Sequence, residues 1–131
     1  MIPAPRRQLG VAVNDRVASL VALVVDDEYL IAVELEAIME SSGYDVLSAI
    51  NVHEARQLMD LRSIDVAVLN FRMKDGTLDL ARDLEARGVP LVFCTGSLPE
   101  EVHALFPGVA IVPKPFTAAG LLAIVKAAIY R

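Results

Sequence analysis

The chain has 131 residues but a single cysteine, Cys94, and no tryptophan. A lone thiol excludes an internal disulfide and a zinc site built from several cysteines, and it fits a reducing cytoplasm. Apolar runs stop well short of the ~18 residues that a membrane-spanning helix needs. The opening stretch "MIPAPRRQLG" lacks the apolar core of a secretory signal. Basic charge is scarce as well. The 12 Lys and Arg are outnumbered by 17 Asp and Glu, and no basic block follows Arg6-Arg7. A net charge of −5 does not draw a nucleic-acid backbone, so neither nucleic acid nor a membrane is an expected partner. One core at this length buries about two-thirds of the unfolded surface, which sets the expectation of a single cytoplasmic domain.

What is present is a regular alternation. Residues 1–18 carry mixed polarity and Pro3 and Pro5, and they read as a tail with a helical turn after Asn14 or Asp15. The domain proper is expected over 19–131. Four short apolar runs, "LVALVV", "VAVL", "PLVF" and "VAIV", each end at polar or turn residues, as strands buried on both faces do. A fifth run, "YDVLSAI" (44–50), alternates enough to lie nearer an edge. Between the runs are helical patterns at 29–41, 52–61, 78–84 and 98–106, and Thr117 caps a last one. Gly43 stops the first helix, and Pro99 sits in the first turn of the fourth. Strand and helix alternate five times, which predicts an α/β domain with a doubly wound parallel sheet.

In open parallel sheets, ligands bind outside the carboxyl ends of the strands. Four of those ends carry unusual polar residues: Asp26-Asp27, Asn70, Thr95 and Lys114. Any one of them alone is most simply a helix cap. The adjacent acids are harder to explain, because they repel each other and are costly to desolvate. A hard cation such as Mg²⁺ or Mn²⁺ would remove that difficulty.

These stretches, "LVVDDE", "DVAVLNFRMKDGT", "FCTG" and "PKPF", resemble the motif set of response-regulator receiver domains, the CheY-like fold of bacterial two-component signalling. The resemblance covers roughly residues 20 to 130. It implies a five-stranded (βα)5 sheet in the order 2-1-3-4-5 and a role in a phosphorelay. It further implies that Asp26 and Asp27 hold Mg²⁺, with the backbone carbonyl of Arg72 completing the shell, whatever the Arg72 side chain is. Thr95 resembles the switch hydroxyl and Lys114 the lysine, both contacting the phosphoryl group. Glu28 fits the pattern, and Pro115 resembles the proline after a cis bond.

The departures carry as much information. Asn70 stands where the family has the phosphoaccepting aspartate. An amide nitrogen is delocalised and its oxygen is a poor nucleophile, so phosphoryl transfer at that position is expected to be absent. The Mg²⁺ site should weaken too. At ~4 Å and an effective dielectric of ~20, one unit-charge pair is worth about 4 kcal/mol, and a divalent ion doubles it. Lys114 should then lean toward Asp26 or Asp27. Ile111 replaces the aromatic residue that usually couples to the switch threonine, so that rotamer switch is not expected. "PLVFCTG" faintly resembles a stand-alone alphaproteobacterial subgroup, with Ser97 in place of its tyrosine.

Other residues have plain readings. His53 and His103 lack partners at ligand spacing, Cys94 is buried filler, and Asp75 and Asp79 belong to a loop and a helix start. The last helix has apolar residues on more than one face (Leu121, Leu122, Ile124, Val125, Ile129). With 98–106 and 109–112 it is the expected face for a histidine kinase, another signalling protein or a second copy of the chain. The leading expectation is a non-enzymatic receiver-like interaction module. An ordinary phosphoaccepting regulator bearing an engineered Asp→Asn change is the alternative. A haloacid-dehalogenase-type phosphohydrolase is a distant third, since "DDEY" lacks the Asp-x-Asp start and there is no room for a cap.

Overall fold

Successive side chains on a strand point to opposite faces, so a strand that is apolar throughout must be covered on both sides. The computed structural model, which describes residues 19–73 and 76–130, meets that requirement. Among the described residues five strands alternate with five helices. They are β1 (Val21–Val25), α1 (Tyr29–Ser41), β2 (Asp45–Ala49), α2 (Val52–Leu61) and β3 (Val66–Leu69). The second half comprises α3 (Thr77–Ala86), β4 (Leu91–Thr95), α4 (Pro99–Leu105), β5 (Ala110–Pro113) and α5 (Ala118–Tyr130). Every strand pair is parallel and the order is β2-β1-β3-β4-β5, as the family resemblance implies. The tail at 1–18 and Asp75 lie outside the described residues.

Two cores result. Leu23, Val25, Leu69 and Phe93 enter one layer and are closed over by Met59 of α2, Leu80 and Leu84 of α3 and Val102 of α4. Ala22, Val24, Val68 and Val92 enter the other, under Leu35 and Met39 of α1 and Leu121 and Val125 of α5. The sheet is thereby covered by three helices on one face and two on the other. The half-exposed "DVLSA" strand is an edge, as its alternation predicts. Among the described residues no helix is long and apolar enough to cross a membrane.

Local signals set most of the boundaries. Helices predicted at 29–41 and 52–61 occupy those residues. Asn51 caps α2 by accepting the Glu54 N–H at 2.8 Å, and Thr117 accepts the Gly120 N–H at 2.9 Å to start α5. Gly43, with φ +98°, takes the left-handed turn that ends α1. The strand expected at 109–112 lies one residue later and includes Pro113. An edge strand tolerates that proline because its outer side has no ladder to complete.

One buried acid anchors the sheet at the end opposite the site. Asp65 accepts the Val21 N–H at 2.8 Å, while its own N–H donates to the Val21 carbonyl at 2.8 Å. This pairing fixes where β1 and β3 begin beside each other. Replacing Asp65 with Ala leaves the Val21 N–H unsatisfied, at a cost of about 1–3 kcal/mol. Urea denaturation should show a lower midpoint for Asp65→Ala with an unchanged slope.

Candidate functional site

Parallel strands end on the same side, so β1, β3, β4 and β5 bring Asp26-Asp27, Asn70, Thr95 and Lys114 together there. All of these but Asp26 line an open cavity of about 510 Å³, whose rim includes Arg72, Ser97 and Glu101. Asp26 lies beneath the lining, fully buried and bonded to Asn70 and Lys114. Backbone bonds hold the floor in register: the Asn70 N–H donates to the Val25 carbonyl at 3.0 Å, and the Lys114 N–H donates to the Thr95 carbonyl at 3.0 Å. The Lys114–Pro115 peptide is cis.

The amide of Asn70 organises the acidic pair. Its Nδ2 donates to Asp26 Oδ1 at 3.2 Å and to Asp27 Oδ1 at 3.3 Å. Electrostatics dictates this orientation, because turning the amide would set its oxygen against two carboxylates. The same orientation lets Asn70 Oδ1 accept the Arg72 N–H at 3.3 Å. Asp26 Oδ1 also accepts the Glu28 N–H at 2.9 Å. Mg²⁺ needs oxygen ligands at about 2.0–2.1 Å in octahedral array. Here an N–H donor points into the space between the carboxylates, and among the described residues no group of three His, Cys, Asp or Glu side chains is placed to hold a metal ion. The arrangement does not fit a divalent ion unless the amide turns. Turning forfeits two hydrogen bonds to charged acceptors, about 1.5 kcal/mol each.

Lys114 spans Asp26 Oδ2 at 3.1 Å and Glu28 Oε1 at 2.6 Å. Its expected lean toward Asp26 is present, but its shorter contact is to Glu28 rather than Asp27. Burial pulls the Lys114 ammonium down, yet hydrogen bonds to Glu28 and Asp26, and their charges, more than offset this and hold it above the ordinary lysine value. Thr95 is buried and its Oγ1 accepts the Ser97 N–H at 3.0 Å. Neighbouring Cys94 is fully buried, and burial pushes its thiol up to about 12. It is core filler, not a nucleophile.

The side chain of Arg72 was given no role by its sequence position, and here it crosses the cavity mouth. Its Nε donates to Ser97 Oγ at 2.6 Å and its Nη2 to Glu101 Oε2 at 2.8 Å. Glu101 Oε1 in turn accepts the Leu98 N–H at 3.2 Å at the start of α4. Those bonds hold the carboxyl group of Glu101 below its usual range. Nothing in the spacing of Arg72, Ser97 and Glu101 marked them as a set. His53 is exposed on α2, while His103 Nε2 lies 3.0 Å from the Val109 carbonyl, away from the cavity. Asp79 is exposed in the first turn of α3.

The raised Lys114 value has a sign. A cation bound more tightly in the folded state stabilises it fully below the unfolded pKa, near 10.5, and that stabilisation disappears as pH rises through the folded value. The melting temperature of the chain should therefore exceed that of Lys114→Met by a constant margin from pH 6 to about 10. The margin should close above that range, as followed by circular dichroism.

Comparison with known proteins agrees with this architecture. The family model for the response regulator receiver domain matches residues 22–126. Response regulator protein PilR of Pseudomonas aeruginosa is 36% identical over 92 residues, which is 66% of this chain and 21% of that protein. Aerobic respiration control protein ArcA of Escherichia coli is 36% identical over 77 residues, 56% of this chain and 32% of that one. The chain thus spans only about a fifth to a third of these relatives. A response regulator receiver protein from Sinorhizobium medicae superposes with a TM-score of 0.75 at 25% identity, covering 85% of this chain and 94% of its own. A receiver domain from Clostridium thermocellum gives 0.71 at 26% identity, with 84% and 94% covered. With the 2-1-3-4-5 sheet and the polar residues at its strand ends, these matches make the chain a member of the response regulator receiver domain family.

Proposed function

We propose that this receiver domain acts as an interaction module whose conformation is not set by phosphorylation at position 70. The observation that carries the reading is the carboxamide of Asn70 at the end of β3, hydrogen-bonded to both acids of β1. An acyl phosphate needs a carboxylate oxygen to attack phosphorus, and an amide supplies none. Thr95 and Lys114 stand where a phosphoryl group would be contacted, but Thr95 accepts from Ser97 and Lys114 is engaged by Asp26 and Glu28. Asp26, Asp27 and the Arg72 carbonyl keep at most a weak residual capacity for Mg²⁺. The chain is read as residues 1–18 preceding a receiver domain at 19–131, non-enzymatic and cytoplasmic.

The partner is a histidine kinase or another two-component signalling protein, or a second copy of the chain. It meets the face made by α4, β5 and α5. Leu98 and Leu105 are exposed around α4, and Tyr130 is exposed at the end of α5. Ile111 of β5 and Leu122 and Ile124 of α5 are only partly covered by the cores. Exposed apolar side chains on these elements favour a protein cover. The net charge of −5 argues against nucleic acid as that cover.

The decisive experiment is intact mass after incubation with Mg²⁺ and acetyl phosphate, for the chain and for Asn70→Asp. Only the Asp form should gain about 80 Da, one phosphoryl group. A gain by the unmodified chain would reveal another acceptor and remove the basis of the proposal.

A further inference from the structure

Asp26 is fully buried at the end of a strand, yet neither of its oxygens is left open. Oδ1 accepts from the Glu28 N–H and from Asn70 Nδ2, and Oδ2 accepts from Lys114. Asp27 is exposed and is joined to Asp26 through the two hydrogens of a single NH₂ group. Asn70 Oδ1 faces the other way, onto the Arg72 N–H. A carboxamide has one donor end and one acceptor end, so it can present only one of them to the acids at a time. With the donor end inward it does what a cation does between two carboxylates: it puts positive partial charge between like charges.

We infer that the Asn70 carboxamide is an internal substitute for a divalent cation, and that its bridge between Asp26 and Asp27 and metal binding at those two acids exclude each other. The competing view is that Asn70 is itself a neutral oxygen ligand that turns to help hold the ion. The two views predict opposite effects of deleting the side chain. If Asn70 blocks the ion, Asn70→Ala opens the space between the carboxylates and tightens binding. If Asn70 is a ligand, the same change weakens it. The inference goes beyond the interaction-module reading and is separable from it, because its test contains no phosphodonor.

The probe is Mn²⁺, titrated and followed by electron paramagnetic resonance of the free ion, with Mg²⁺ as competitor. Asn70→Ala should bind about a hundredfold more tightly than the unmodified chain, and Asn70→Asp more tightly still. Equal or weaker binding by Asn70→Ala, or no binding by either form, overturns the inference. Should Asn70→Ala fail to fold, the unmodified chain decides. The Asn70 side-chain NH₂ resonances and the melting temperature should stay in place between EDTA and ~10 mM Mg²⁺, since an ion that does not bind the folded state adds no stability. Displaced NH₂ resonances together with a rise in the melting temperature would mean that Asn70 turns and ligates the ion, which overturns the inference.

Discussion

Two carboxylates leave the same buried strand side by side, and everything at this end of the sheet answers to their repulsion. Asp26 has no access to water that could screen it. Its charge is met instead by a backbone N–H, a carboxamide and an ammonium, each from a different part of the chain. In a low-dielectric floor such bonds are strong and their loss is costly, so the polar residues around Asp26 behave as one network. That network ties β1, β3 and β5 and the start of α1 together without any component from outside the chain.

From this floor the constraints run outward to the loops. Lys114 is drawn toward α1 by Glu28, so the residues after β5 are held against those after β1. Asn70 accepts from the backbone of Arg72, and the Arg72 guanidinium reaches Ser97 and Glu101. The loop after β3 is thereby joined to the loop after β4 and the first turn of α4. The Arg72–Glu101 pair is largely exposed and worth little by itself. Its interest is positional, since it connects the acidic floor to the face where Leu98 and Leu105 are exposed.

Much of this is legible in the sequence, though unevenly. The bounds of α1 and α2 could be read because helical period and end signals such as Asn51 and Gly43 act within a few residues. The grouping of Asp26, Asp27, Asn70, Thr95 and Lys114 followed from the general rule that parallel strands end together. The strand order did not follow from periodicity; it came with the family's motifs. The Glu28 contact of Lys114 spans 86 positions and the Arg72–Glu101 pair 29, and neither distance in sequence implies a distance in space. The one-residue shift of β5 is not legible in the sequence for a similar reason, because which backbone groups pair depends on the neighbouring β4.

The sequence by itself determined the alternation of elements, the two-sided burial of the strands and the presence of an amide, not an acid, at the end of the third strand. Each of these is a property of local pattern or of one side chain's chemistry. Only the tertiary structure decided which way that amide faces and what Lys114 and Arg72 hold. Those outcomes depend on the competition among donors and acceptors brought together by the sheet, where the strongest unsatisfied charge, buried Asp26, takes its partners first.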